Sequence, residues 1–438
     1  MRNSFLHEQS VNSGRKKNAR FTDRRNRAIL IHHSENFRQR REEPTGRVRE
    51  TLHDVLRQTD AVLLALCVAS TLYGMVLIAS ATSFRGTLKY VAVQGLGLLI
   101  GLALYFFLSS IDIFELAKQW KWLLGFNVGF LLLLLTPFGQ TRNGNRAWLG
   151  VNDIGKNLGV GFLKSFPVTV QPAEVVKIFF IVLLAYQLAL LKDRRDLVRF
   201  ENVIQPTAHT AFMVGLIVVI SGDAGSALVY LFIFICMVFA AGMAKRWLAL
   251  GIGGGAAAFL AVWHLNLLPG YMRDRFLAVL DHSYQPDDAG FQQTRGLMAL
   301  GSGELTGQGL FHGAQTQSSN VWSIPERQTD FIFSVCGEEL GFLGCALIIV
   351  LLLAIVVRCL LVARDAATPM ESYVCVGMAG MLIFQTIANI GMCLFLMPVI
   401  GLTLPFFSYG GSSIVTLFAA MGIVSGVKKR SRPEWLTN

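Results

Sequence analysis

"DFIFSVCGEELGFLGCALIIVLLLAIVV", residues 330–357, decides the fold. Asp330, Glu338 and Glu339 carry its only charges, and after them no ionisable acid or base appears until Arg358. An apolar run of about 18 or more residues is long enough to cross a lipid bilayer as a helix. Such runs recur along the whole chain. Hydrophobic residues make up 53% of its 438 residues and charged ones only 15%, where a soluble domain has about 25% charged. The chain reads as an all-α integral membrane protein.

Working outward from that run predicts ten transmembrane helices, at about 60–81, 89–109, 121–138, 172–191, 209–221, 225–243, 247–266, 330–357, 371–397 and 407–427. Two long hydrophilic loops interrupt them, 139–171 and 267–329. Basic residues mark the cytoplasmic side of a membrane protein. With ten spans, residues 1–59, Lys192 to Arg195, Lys245-Arg246, Arg358, Arg364 and Lys428 to Arg432 all fall on one side. Both termini are then cytoplasmic and both large loops external.

Residues 1–59 hold fourteen Arg and Lys against seven Asp and Glu, a net +7. This composition reads as a disordered basic cytoplasmic arm rather than a cleaved leader, suited to anionic membrane lipids on that side and not to nucleic acid. Residues 60–427 form the membrane domain and 428–438 a short basic tail. The seven cysteines lie in or at the ends of apolar segments without metal-ligand spacing, and read as small buried hydrophobes.

Ionisable residues at membrane depth are costly and therefore candidate functional groups. Glu174 and Lys177 are three residues apart at the start of the fourth span, on one helix face, where they can pair. Asp223 sits in the Ser221-Gly222-Asp223 break between the fifth and sixth spans. A carboxylate there can accept backbone N–H groups or pair with a lysine. Glu338 and Glu339 are adjacent on one helix, so at most one faces a given partner. Loop 139–171 carries Arg142, Arg146, Lys156 and Lys164 against Asp153 alone. Such external cations suit an anionic headgroup such as a diphosphate, or serve only as solubilising charge.

Several segments resemble one family. "QPAEVVK", Gln171 to Lys177, is similar to its Gln-Pro-Ser-Glu-x-x-Lys motif. "IPERQTDFIF", Ile324 to Phe333, followed by Glu338-Glu339-Leu340-Gly341, resembles its external-loop signature. "GLTLPFFSYGGSS", Gly401 to Ser413, resembles its C-terminal signature, and Asn389-Ile390-Gly391 and Arg146-x-Trp148-Leu149 fit as well. This is the SEDS family (shape, elongation, division and sporulation). The resemblance runs through about residues 60–427.

The resemblance implies a peptidoglycan glycosyltransferase of the bacterial cytoplasmic membrane. Such an enzyme polymerises lipid II at the outer face, beside a class B penicillin-binding protein. It implies substrate contacts at Arg146, Glu174, Lys177, Asp223, Glu326, Asp330 and Ser408. Glycosyl transfer of this kind needs a base for the attacking sugar hydroxyl and positive charge for the departing diphosphate, and a divalent cation such as magnesium or manganese can help. The family's essential aspartate opens an Asp-Pro-x-Gly-x-Gly-aromatic run. The aligned stretch here is Gln285-Pro286-Asp287-Asp288-Ala289-Gly290-Phe291, with an amide in the aspartate's place. An amide is no base. Asp287, Asp288 and Asp281 are the nearby acids that can substitute. A scaffold for a penicillin-binding protein without catalysis, and a lipid II transporter, stand as alternatives.

Overall fold

The computed structural model describes residues 59–142, 145–150, 169–193, 199–266, 268–285, 288, 290–319 and 323–431. The basic arm, Asp153, Lys156, Lys164 and Asp287 lie outside them, as does the side chain of Arg142. The described chain is almost wholly helical: α1 Ala61–Ser83, α2 Lys89–Ser109, α3 Ile113–Lys118, α4 Trp120–Leu132, α5 Pro172–Asp193, α6 Phe200–Ser221, α7 Ala224–Ala241, α8 Lys245–His264, α9 Gly270–Leu280, α10 Phe291–Ser302, α11 Ile332–Arg364, α12 Pro369–Cys393 and α13 Gly411–Ser431.

Nine of these are long and apolar enough to cross a membrane, namely α1, α2, α5, α6, α7, α8, α11, α12 and α13. The expected third span is shorter: α4 and the 3-10 turn Leu133–Leu135 make one apolar segment, Trp120–Leu135. The start of α1 and the end of α13 meet. Asp60 caps α1 by accepting from the Leu63 amide (3.3 Å) and pairs with Lys428 (3.2 Å) and with Arg358 at the end of α11 (2.8 Å). Two ends that meet on one side require an even number of crossings. The short apolar segment Trp120–Leu135 stands where the third span is expected.

Two boundaries differ from the sequence reading. The fifth span begins at Phe200, not at 209, and Pro206 lies inside it. Proline lacks an N–H and commonly marks a helix boundary; here the helix runs through it, and Thr210 Oγ1 bonds the Pro206 carbonyl (2.9 Å). The eighth span is broken. Gly341 has φ 65° and ψ −161°, so α11 is two helices meeting at a kink. The main-chain groups freed there are taken by residues 304–309. Gln308 N donates to Glu338 O (2.9 Å), Gly309 N to Glu339 O (3.0 Å), Phe342 N to Glu304 O (2.9 Å) and Leu343 N to Leu305 O (3.2 Å). Unpaired main-chain groups at membrane depth cost several kcal/mol, and a neighbouring segment that pairs them makes the break tolerable. A Cβ on Gly303 would lie 1.8 Å from Gly337 O and one on Gly307 2.2 Å from Glu339 O, so only glycine lets the two segments approach.

Spans pack tightly through small residues, as expected where lipid removes the hydrophobic drive between helices. A Cβ on Gly422 of α13 would lie 2.6 Å from Tyr105 O of α2. By contrast α8 has no buried side chain. The loop 139–171 is not merely polar coil. It holds β1 Gly139–Arg142, β2 Asn145–Gly150 and β3 Thr169–Val170 in one antiparallel sheet, order β1-β2-β3, with Gly139 opposite Leu149 and Leu149 opposite Val170. This sheet lies at the end of the bundle opposite Asp60 and Lys428, together with the long loop between α8 and α11.

Candidate functional site

At this loop end the starts of α5 and α7 converge. The turn from α6 into α7 is made by Gly222 at φ 66°, in the left-handed region where glycine is least costly. Asp223 then caps α7. Its carboxylate accepts the Ser226 amide (2.9 Å), the Ser226 hydroxyl (2.7 Å) and the Gln171 side-chain amide (2.9 Å). Of the two partnerships expected for Asp223, the structure shows amide acceptance, and no lysine pairs with it among the described residues. Gln171 opens the turn into α5, and one turn on, Lys177 Nζ lies 2.7 Å from Glu174 Oε1. Lys177 is fully buried and Glu174 nearly so. Tyr230 of α7 donates to Ala173 O (2.8 Å) and binds the two helices together.

Beside them lies the segment before α11. Asp330 precedes that helix by two residues, and its carbonyl accepts Asn389 Nδ2 (2.8 Å) from α12. Ser408 Oγ donates to Thr329 O (2.6 Å) and accepts the Leu404 amide (2.8 Å), so this buried hydroxyl stitches the two signature segments to each other. Glu326 is exposed and accepts from Gln328 Nε2 (3.3 Å) and Thr329 Oγ1 (3.2 Å). Burial pushes the Asp330 carboxyl up, and Glu326 pushes it further. The Arg275 guanidinium pulls it back, Asp223 adds a smaller push, and the result is about 7. Arg275 and Asp223 act on this carboxyl from α9 and the start of α7. Arg275, on α9, is fixed there by its bond to Val399 O (2.7 Å).

Arg146 lies on β2. Its guanidinium donates to Thr136 O (2.8 Å) and Leu135 O (3.4 Å), at the end of the α4 segment, and its buried Nε has no partner among the described residues. Glu338 and Glu339 face different partners, as adjacent helix positions must. Glu338 accepts Gln315 N (2.7 Å), Thr316 N (2.8 Å) and Thr316 Oγ1 (2.6 Å), whereas Glu339 accepts Ser80 Oγ (2.7 Å) and Gln317 Nε2 (2.9 Å).

The loop with Gln285 packs over the 392–401 turn. His282 bonds Phe395 O (3.3 Å) and its ring sits 4.3 Å from the Phe395 ring. Gln293 donates to Met397 O (2.7 Å) and Met392 O (3.3 Å). Gln285 adopts φ 43°, and its carbonyl receives the amides of Asp288 and Gly290, both at 3.1 Å. Of the three loop acids, Asp281 and Asp288 are exposed. Asp281 binds the Ser283 hydroxyl (2.5 Å) and amide (3.0 Å), which hold its carboxyl below the usual range. Asp287 lies outside the described residues. The structure thus brings Asp223 and Asp330 together with Glu326, sets Glu174 and Lys177 one turn away from Gln171, and puts Asp281 and Asp288 on the surface. Sequence reasoning missed Gln171 and Arg275 as site residues. Gln171 is a motif residue and was within reach of that reading. No local pattern reveals Arg275, because its contact is made with a segment far along the chain.

A family model of FtsW/RodA/SpoVE cell cycle proteins matches residues 60–433. The probable peptidoglycan glycosyltransferase FtsW of Geobacter sulfurreducens is 33% identical over 391 residues, covering 86% of this chain and 96% of that relative. Stage V sporulation protein E of Bacillus subtilis is 33% identical over 335 residues, covering 76% and 85%. Among solved structures, a chain from work on structural coordination of polymerization and crosslinking by a peptidoglycan synthase complex is 31% identical with TM-score 0.68, covering 86% of this chain and 99% of that one. The Thermus thermophilus rod shape determining protein RodA is 28% identical with TM-score 0.61, covering 86% and 98%.

Proposed function

The chain belongs to the FtsW/RodA/SpoVE family of cell cycle proteins, and on that premise we propose that it polymerises peptidoglycan glycan strands from lipid II. It is a multi-pass protein of the bacterial cytoplasmic membrane, and the reaction takes place at the outer face. The sugar 4-hydroxyl of one substrate attacks the anomeric carbon of the other with inversion, and undecaprenyl diphosphate leaves.

The observation that carries this reading is the turn around residues 399–401, which holds Arg275 through Val399 O (2.7 Å), meets Gly225 beside Asp223 at Ile400 O, and sets Gly401 against the Asp330 carboxylate. Acids and a cation at this end suit the sugar diphosphate of a lipid-anchored substrate. Carboxylates there supply a proton acceptor, and positive charge meets the diphosphate. Glu174 and Lys177 lie deeper, as a buried pair behind Gln171, and Arg146 and Ser408 hold the segments around the site. A class B penicillin-binding protein is the proposed partner, supported by the likeness to a chain of a peptidoglycan synthase complex. Among the described residues no three His, Cys, Asp or Glu side chains are placed to hold a metal ion.

Gln285 favours a second reading, a scaffold that recruits the cross-linking partner without turnover. Purified protein with its partner and lipid II separates the two: glycan strands are expected. A stable complex without strands would establish the scaffold, and labelled lipid crossing liposomes without strands would establish transport.

A further inference from the structure

We propose that Asp330 is the group that takes the proton from the attacking sugar hydroxyl. This assignment rests on the polymerase reading above and names the residue that reading leaves open.

The main chain around Asp330 is pinned on every side. Its carbonyl accepts Asn389 Nδ2 (2.8 Å) and Cys393 Sγ (3.6 Å), and the preceding carbonyl accepts Ser408 Oγ (2.6 Å). The Asp330 carboxylate, by contrast, takes part in none of the hydrogen bonds found among the described residues. The buried acids around it are engaged: Asp223 accepts three bonds, Glu338 three, Glu339 two, and Glu174 holds Lys177. Asp330 is partly exposed, so its unbonded carboxylate is open to an incoming group. A fold that fixes the backbone this firmly and leaves the acid uncommitted has kept it for something that arrives.

Its surroundings fit proton transfer. The charges that act on it are the carboxylates of Asp223 and Glu326 and the Arg275 guanidinium, while the Cys393 thiol bonds its carbonyl. Gly401, at φ 70°, lies against the carboxylate: a Cβ there would stand 4.0 Å from Asp330 Oδ2. Two like charges and burial outweigh one cation and bring the carboxyl to about 7, the range in which a side chain both accepts and releases a proton near neutral pH. The turn that anchors Asp330 also carries the 281–296 loop through Phe395 and Met397. That loop carries the neutral amide Gln285 at the motif's aspartate position, and its described acids Asp281 and Asp288 stay on the surface.

The step balances without oxidation or reduction. The acceptor's 4-hydroxyl proton passes to the Asp330 carboxylate as the hydroxyl oxygen bonds to the donor's anomeric carbon. The bond from that carbon to the diphosphate oxygen breaks, and its electron pair leaves with the lipid diphosphate. Asp330 then returns the proton to water.

The test measures initial rates of lipid II polymerisation by the full chain with its penicillin-binding protein, from about pH 5 to about pH 9. The wild-type rate should rise through about pH 7 as Asp330 ionises. Asp330→Asn should lower kcat about 10²- to 10⁴-fold and remove that rise, with lipid II KM and thermal unfolding unchanged, because the pinned carbonyl is untouched. Asp330→Glu should recover part of the rate. Retained turnover with the parental pH profile in Asp330→Asn would overturn the assignment, as would loss that follows Asp281→Asn or Asp288→Asn instead. A wild-type protein that makes no polymer at any pH brings down the polymerase reading itself. An active wild type with an unaffected Asp330→Asn brings down only this residue's role.

Discussion

Lys177 is fully buried and pairs with Glu174. Removing one member of a buried ion pair strands the other and costs about 3–5 kcal/mol. Lys177→Met should lower the thermal stability of the detergent-solubilised protein by that amount, and the double variant Glu174→Gln/Lys177→Met by less than the two single losses added. Asp223→Ala removes a helix cap and should cost about 1–2 kcal/mol in the same measurement. Both arrangements were partly written in the sequence. Glu174 and Lys177 stand at the spacing that lets helix residues meet, and Asp223 at a glycine break before a helix. What spacing could not tell was which acid is left unbonded. The freedom of Asp330 and the approach of Arg275 depend on the 389–401 turn, which brings residues together that share no local pattern. The position of Arg146 under the α4 carbonyls was hidden for the same reason.

Elements were legible wherever length and apolarity decide them. All ten expected spans correspond to apolar helices, and most boundaries fall within a few residues of the expected positions. The kink in α11 escaped because Gly341 lies inside an unbroken apolar run, and hydropathy does not respond to backbone angle. Its existence depends on the glycine-rich segment that pairs with it. Gly341 occupies a backbone region open to little but glycine, so Gly341→Ala should cost about 1–3 kcal/mol. Gly303→Ala, facing the Gly337 carbonyl, should lose at least as much, about 1–3 kcal/mol or more from overpacking. Thermal unfolding of each variant checks both. The small sheet in 139–171 was missed because its strands are short and polar, and their pairing is set by their neighbours rather than by alternation.

On the scale of the molecule, the contact between Asp60 and Lys428 fixes the parity of the crossings. A cysteine placed at Asp288 should be labelled by an impermeant maleimide on intact cells, and one placed at Asp365 only after permeabilisation; the reverse would invert the topology. The same contact sets a response to acid. Burial works against the Asp60 charge, but Arg358, Lys428 and the Leu63 amide together hold its carboxyl below the ordinary value. A depressed carboxyl contributes stability that is full above the ordinary carboxylate range and lost as pH falls through the folded value. Unfolding temperature should therefore fall on acidification below about pH 4, and Asp60→Asn should flatten that decline. A quieter consequence belongs to the kinked helix. Residues 304–309 have no regular form of their own, yet four main-chain bonds sew them to it. In deuterated solvent the amides of Gln308 and Gly309 should exchange as slowly as those deep in a span, and a pull on the long outer loop should be felt directly within the bilayer.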